Sequence, residues 1–402
     1  MTSCLHLAVV PSQGTPASKH PMKHPPLSAA FAVAALSLCA TSPQAAADTR
    51  ADGSPSPSPR RADGHRAPVD PGIPAYDPAP PLTGDLYIGG GFAFTVVDQW
   101  VAIFQRAHPS VRVHTAIWGS TAAFGELVEG VTQVCLLTRE FMPFESDFLD
   151  MKADNRAKGP GRFGVAVATG GYTSDQPECV PSMVMLVNKD NPIRGLTLAQ
   201  LDAIFSRTRK RGYKEVTTWG DLGLTGDWAD KTIHVYHPRM PDGVPNFFRV
   251  YVMQYGEFKD TNQSLYDHPG ILRTDRYAIT MGNRGVGNAR EQRDPNAKTV
   301  ALAYTEAGPY TTGSFEDVLH RTYPLSRLIY LYAGTPPGSP IDPLAKEFIR
   351  VALSHEGQWE VARTTLMPLP ASVVRESLAT LEQNPAKGPG IGSTEKTRAS
   401  IP

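Results

Sequence analysis

The sequence predicts an α/β fold with largely parallel sheets. Strand-like and helix-like stretches alternate from residue 84 to 382. The turns from strand to helix carry Gly, Ser and Thr rather than long polar loops. At 402 residues the chain exceeds one ordinary domain, so two lobes or two domains are expected.

The elements follow in order. DLYI reads as a strand and runs into Gly89-Gly90-Gly91. A helix follows, with Val97, Trp100, Val101 and Phe104 at helical spacing and Thr95 with Asp98 as a capping box. His108-Pro109 ends it. VRVHTAI alternates as a strand, with Val111, Val113, Thr115 and Ile117 on one face. Gly119-Ser120-Thr121 leads into the short helix AAFGELVE, closed by Gly130. QVCLL is a strand that runs into Thr138-Arg139, and SMVMLV is a buried strand. Thr197 and Gln200 form a capping box for LTLAQLDAIFS. TIHVY is a strand, followed by the loop HPRMPDGVPN and the helix FFRVYVMQY. RLIYLYA is a strand, and Asp342-Pro343 supplies a cap and a first-turn Pro for LAKEFIRVALS.

The ends read differently. Met22-Lys23-His24, an apolar run from Ala29 to Leu38 and Ala45-Ala46-Ala47 predict a secretory signal within 1–47, with Met22 a possible start. Cys39 follows Leu38, where a lipoprotein box takes a small residue, so a cleaved soluble product is expected over a lipid anchor. Residues 48–83 are rich in Pro, Ser, Asp and Arg and predict a disordered linker. The tail 383–402 reads the same way. Cys135 and Cys179 remain after signal removal, either as a disulfide or as two buried thiols.

Composition excludes several classes. The chain carries 39 basic and 39 acidic residues, a poor balance for coating nucleic acid. No apolar run of about 18 residues predicts a membrane span in the mature chain. There is no GxSxG, GxxxxGK[ST] or HExxH motif. His234 and His237 read as packing residues rather than metal ligands, and Asp221, Asp227 and Asp230 as a solvated loop. No enzyme activity, cofactor or metal is expected.

What remains is anion chemistry. A helix N-terminus has unpaired N–H groups and partial positive charge, so it holds anions without Lys. Ser120 and Thr121 add hydroxyl donors, and Arg139 and Arg239 each offer a planar fork to an oxyanion. The expected place is the carboxyl ends of the strands.

These stretches together resemble the phosphate-binding, PstS-like periplasmic substrate-binding proteins of ABC transporters. The resemblance rests on the glycine turn before the helix of Trp100, HPSVRVHTAIWGST, TREFMPFE, VNKDNPIRGLTLAQLDAIFS with TTWGDLGL, YPLSRLIYLYA, and EFIRVALSHEGQ with MPLP. It implies a two-lobed type II periplasmic-binding-protein fold with two crossover strands. Lobe I would comprise 84–188 and 301–382, and lobe II 189–300. The implied ligand residues are Gly90, Gly91, Phe92, Ser120, Thr121, Thr138, Arg139, Arg239 and Gly243. The family's first-turn Ser and Thr are absent here, and Gly243-Val244-Pro245 replaces its Ser-Gly-Thr.

The resemblance implies an exported, periplasmic or secreted monomer. It would bind phosphate or a related oxyanion and deliver it to the membrane subunits of an ABC permease. A ligand-altered or non-binding envelope interaction or sensing module is the alternative, and a secreted phosphoesterase is a third reading.

Overall fold

The computed structural model describes residues 65, 67–90, 94–117, 120–139, 141, 145, 161–171, 182–240, 243–265, 270–283, 295–335 and 340–382. The expected signal region, the first half of the Pro-rich stretch, Gly91, Phe92, Cys39, Cys179 and the tail lie outside them.

In chain order the elements begin β1 (Gly84–Gly90), α1 (Phe94–Ala107), β2 (Val111–Ile117), α2 (Ser120–Val128), β3 (Val134–Leu137), β4 (Gly161–Thr169), β5 (Met183–Asn188) and β6 (Gly195–Thr197). Next come α3 (Leu198–Phe205), β7 (His234–His237), α4 (Gly243–Tyr251), β8 (Gln263–Ser264), β9 (Ala278–Asn283), β10 (Ala297–Thr299) and β11 (Ala301–Ala303). The last are α5 (Phe315–Leu319), β12 (Leu328–Thr335), α6 (Pro343–Leu353), α7 (His355–Arg363) and α8 (Ala371–Glu382).

The first sheet has the order β2-β1-β3-β12-β4. β1 runs parallel to β2 and β3, while β12 is antiparallel to β3 and β4. Helix α1 buries Val96, Val97, Trp100, Ile103 and Phe104, and packs on α6 and α7. Trp100 is fully buried; its Nε1–H donates to the Gly357 carbonyl at 3.0 Å, and its ring meets Phe348 edge-on. This satisfies the indole donor that burial would otherwise orphan. The expected cap at Thr95 is corrected: the helix already includes Phe94, so Thr95 sits within its first turn.

The second sheet has the order β10-β5-β9-β7-β8, and β6 pairs in parallel with β11 apart from it. Thr197 caps α3 through the expected box, its hydroxyl accepting from Gln200 N–H while Gln200 accepts from Thr197 N–H. Helix α4 starts at Gly243, a turn before the expected Phe247. Pro245 is tolerated there because first-turn N–H groups have no partner within the helix.

The two sheets have separate buried cores. The chain leaves the first sheet after Thr169 at the end of β4 and enters the second at Met183. It returns through Tyr323 to Leu328. The two passages are bonded side by side: Gly170 N–H donates to Arg327 O at 2.7 Å, and Met183 N–H to Leu325 O at 3.1 Å. The Tyr323 hydroxyl donates to Met183 O at 2.7 Å.

Two expected boundaries shift. β5 pairs within the second sheet, and Leu302, Phe315, Val318, Tyr323 and Leu325 pack in the second core. An all-apolar strand announces burial but not which sheet it joins. The later part of the expected linker is also packed: Val69 and Ile73 join the first core and Ala67 the second. Asp70 accepts from Ala371 N–H at 2.8 Å and Gly72 N–H at 2.9 Å. The Tyr76 hydroxyl donates to Glu347 at 2.7 Å. A few apolar anchors and long-range hydrogen bonds hold a segment whose average composition is that of a linker.

Candidate anion-binding site

The register of the first sheet builds one edge. Gly90, the last residue of β1, aligns with Ile117 of β2 and with Leu136 of β3. The carboxyl ends of three parallel strands therefore finish level, and the turns beyond them emerge together. Gly90 is buried at that edge, and α1 begins soon after it. Helix α2 starts at Ser120 directly after β2, and Thr138-Arg139 follows β3.

Ser120 and Thr138 meet. Thr138 N–H donates to the Ser120 hydroxyl at 3.3 Å, and the two hydroxyl oxygens lie 3.2 Å apart. One hydroxyl donates to the other, so the pair keeps one hydroxyl proton to offer outward. Thr138 is buried and Ser120 half-buried, so that proton is presented from a partly dehydrated wall. Thr121 lies next along α2.

Arg139 is paired with a carboxylate of the protein itself. It is 5% exposed, and its Nη1 and Nη2 donate to the two carboxylate oxygens of Glu145 at 2.7 and 2.8 Å. Glu145 is fully buried. This two-pronged pair balances the guanidinium charge within the protein. The sequence reading missed Glu145, although it stands within the TREFMPFE stretch.

Arg239 and Gly243 belong to the second sheet. Arg239 is exposed and follows the carboxyl end of β7, which runs parallel to β9 and β8. Gly243 opens α4. None of α1, α2 and α4 carries an acidic residue in its first turn, so their positive ends are not offset there.

Glu126, on α2, is the notable carboxylate nearby. A Cβ placed on Gly89 would lie 2.6 Å from Glu126 Oε2, so the glycine leaves the room that this side chain fills. Oε2 is buried without a hydrogen-bond partner, and burial raises the carboxyl pKa.

Among the described residues no group of three or more His, Cys, Asp and Glu is placed to hold a metal ion. His234 pairs with Asp275 at 2.7 Å, and buried His237 stacks on Phe258. Cys135 is a buried free thiol whose pKa burial pushes up, which leaves it unreactive.

The profile of the PBP superfamily domain matches residues 79–356. The chain belongs to the PBP superfamily. Within it the sequence is PstS-like. It is 31% identical over 319 residues to the phosphate-binding protein PstS of Pseudomonas aeruginosa, covering 78% of this chain and 92% of the relative. It is 26% identical over 242 residues to the phosphate-binding protein PstS of Staphylococcus saprophyticus, covering 59% and 66%. Among solved structures, an ABC-type phosphate transport receptor from Vibrio cholerae aligns at a TM-score of 0.42 with 18% identity, covering 67% of this chain and 94% of that one. PstS from Borrelia burgdorferi aligns at 0.43 with 12% identity, covering 73% and 97%.

Proposed function

We propose that this chain is an exported solute-binding protein that takes phosphate or a related oxyanion and delivers it to an ABC permease. The 31% identity to a phosphate-binding PstS over 92% of its length supports the ligand class. The observation that carries the reading is the Ser120–Thr138 pair at the level edge of β1, β2 and β3, beside the positive ends of α1 and α2. In this reading Gly90, Gly91, Phe92 and Thr121 supply backbone and hydroxyl donors around that pair. Arg139 positions the strand end through Glu145 rather than pairing with the ligand. Arg239 is then the cation, with Gly243 opening the helix that faces the anion from the second sheet. Among the described residues no helix is long and apolar enough to cross a membrane, in keeping with delivery as a secreted or periplasmic receptor.

Calorimetric titration with phosphate tests this, using full-length protein unfolded and refolded to strip carried-over ligand. Micromolar or tighter binding is expected, weakened in Ser120→Ala and Arg239→Ala. No heat and no thermal shift at millimolar phosphate would overturn the phosphate reading. The Val244-Pro245 start of α4, which lacks two hydroxyls and one N–H donor, would then favour an altered ligand or a protein partner.

A further inference from the structure

A cavity lined by both polar and apolar groups, Pro324 and Leu328 among them, lies beside the paired passages between the sheets. It measures about 30 Å³, room for a body of water to chloride size, and Thr169, Tyr251, Tyr304, Arg321 and Ser326 line it. No Asp or Glu lines it among the described residues. None of the residues that line it belongs to β1, β2, β3 or the turns that follow them, so it is distinct from the edge described above.

Arg321 is the unusual member. It is 8% exposed, and its Nη1 is buried without a hydrogen-bond partner. Its Nη2 donates to the Thr169 hydroxyl at 3.2 Å. Its backbone is left-handed, with φ at 58°, a conformation a non-glycine residue keeps only when its surroundings impose it. Here Arg321 N–H donates to Val318 O, and Arg321 O accepts from the Tyr304 hydroxyl at 3.4 Å. Burial lowers its pKa to about 10, so it is a cation at neutral pH. Among the described residues the titratable neighbour that acts on it is Tyr304, and no described carboxylate does.

We propose that this cavity is a small-anion site, with chloride-sized ions held by Arg321 Nη1 and the Thr169 hydroxyl. The donor assignments favour it. Thr169 accepts from Arg321, so its own proton is available to a ligand. Ser326 directs its proton to Tyr323 O at 3.1 Å. A water would satisfy Nη1 but leave a buried charge unbalanced, and an anion answers both needs. Tyr304 is 43% exposed, which gives the cavity a side open to solvent. Because Thr169 ends β4 while Tyr251 ends α4, the ion ties an element of the first sheet to one of the second.

Crystals of the full chain grown in bromide test the site directly. An anomalous peak at hydrogen-bond distance from Arg321 Nη1 is expected. Density there that does not change between bromide and a bulky organic anion would be water and would overturn the proposal. In solution, Tm should rise with chloride against gluconate at constant ionic strength. That rise should vanish in Arg321→Gln and persist in Ser120→Ala. If Arg321→Gln fails to fold, Thr169→Val serves: a weakened chloride response supports the site, and an unchanged one overturns it.

Discussion

Arg139 and Glu145 form a two-pronged ion pair, six residues apart and both buried, with hydrogen bonds of 2.7 and 2.8 Å. Removing one partner strands a charge in a low-dielectric site. Glu145→Gln is therefore expected to cost about 3–5 kcal/mol in denaturant unfolding. The double variant Arg139→Met with Glu145→Leu should lose less than the two single losses summed, because each single change leaves the other charge unpaired.

Ser120 and Thr138 share one chain of hydrogen bonds. Ser120→Ala should weaken phosphate binding by about 1.5–3 kcal/mol, the usual worth of a hydrogen bond to a charged group. That is on the order of ten- to a hundred-fold in Kd. The double variant with Thr138→Val should fall short of the sum, since either change already disrupts the shared proton. Additive losses in calorimetry would place the two hydroxyls on the ligand independently.

Glu126 gives a pH signature. Burial raises its folded pKa above the ordinary value of 4.5. The protonated form is favoured in the fold, so its stabilising contribution is full below the unfolded pKa. It is lost as pH rises through the folded pKa. Glu126→Gln should raise Tm at neutral pH and leave it nearly unchanged near pH 4. A larger gain at acid pH than at neutral pH would contradict the assignment.

Asp70 has the opposite sign. Hydrogen bonds from Ala371 N–H and Gly72 N–H lower its pKa below 3.8. Its contribution is present above the unfolded pKa and lost as pH falls through the folded one. Because it caps the start of α8 from a distant segment, Asp70→Ala should cost about 1 kcal/mol at neutral pH. Thermal unfolding from pH 2 to 7 should show the wild-type and variant curves converging at the acid end.

Local signals were legible where a few neighbours decide the outcome. The strand Val111–Ile117, the Thr197–Gln200 box and the Asp342-Pro343 helix start all form as read. The family resemblance placed Ser120 and Thr138 at one site, and the strand register explains why they meet. The pairing of Arg139 with Glu145 was not legible, because a lone Arg after a strand does not announce its counter-ion. Whether Glu145 or a ligand takes the charge depends on how the segment between them folds back. β5 was given to the wrong sheet for a related reason: Met183–Asn188 is apolar on both faces, and pairing with β9 and β10 is a non-local choice. Arg321 was invisible, since nothing in HRTYPLSR distinguishes a surface Arg from a buried one.

His65 stacks on Phe315 at 4.2 Å, and Ala67 lies in the second core, while Val69 and Ile73 anchor in the first. A body joined by two adjacent bonded passages can both flex and twist about them. A third segment, anchored in both cores, adds a further restraint on that motion. The length of chain between Ala67 and Val69 then sets the travel. Only two peptide links separate an anchor in one core from an anchor in the other. Any rocking of one sheet against the other is thereby short in stroke, and the N-terminal segment works as a check-strap on it.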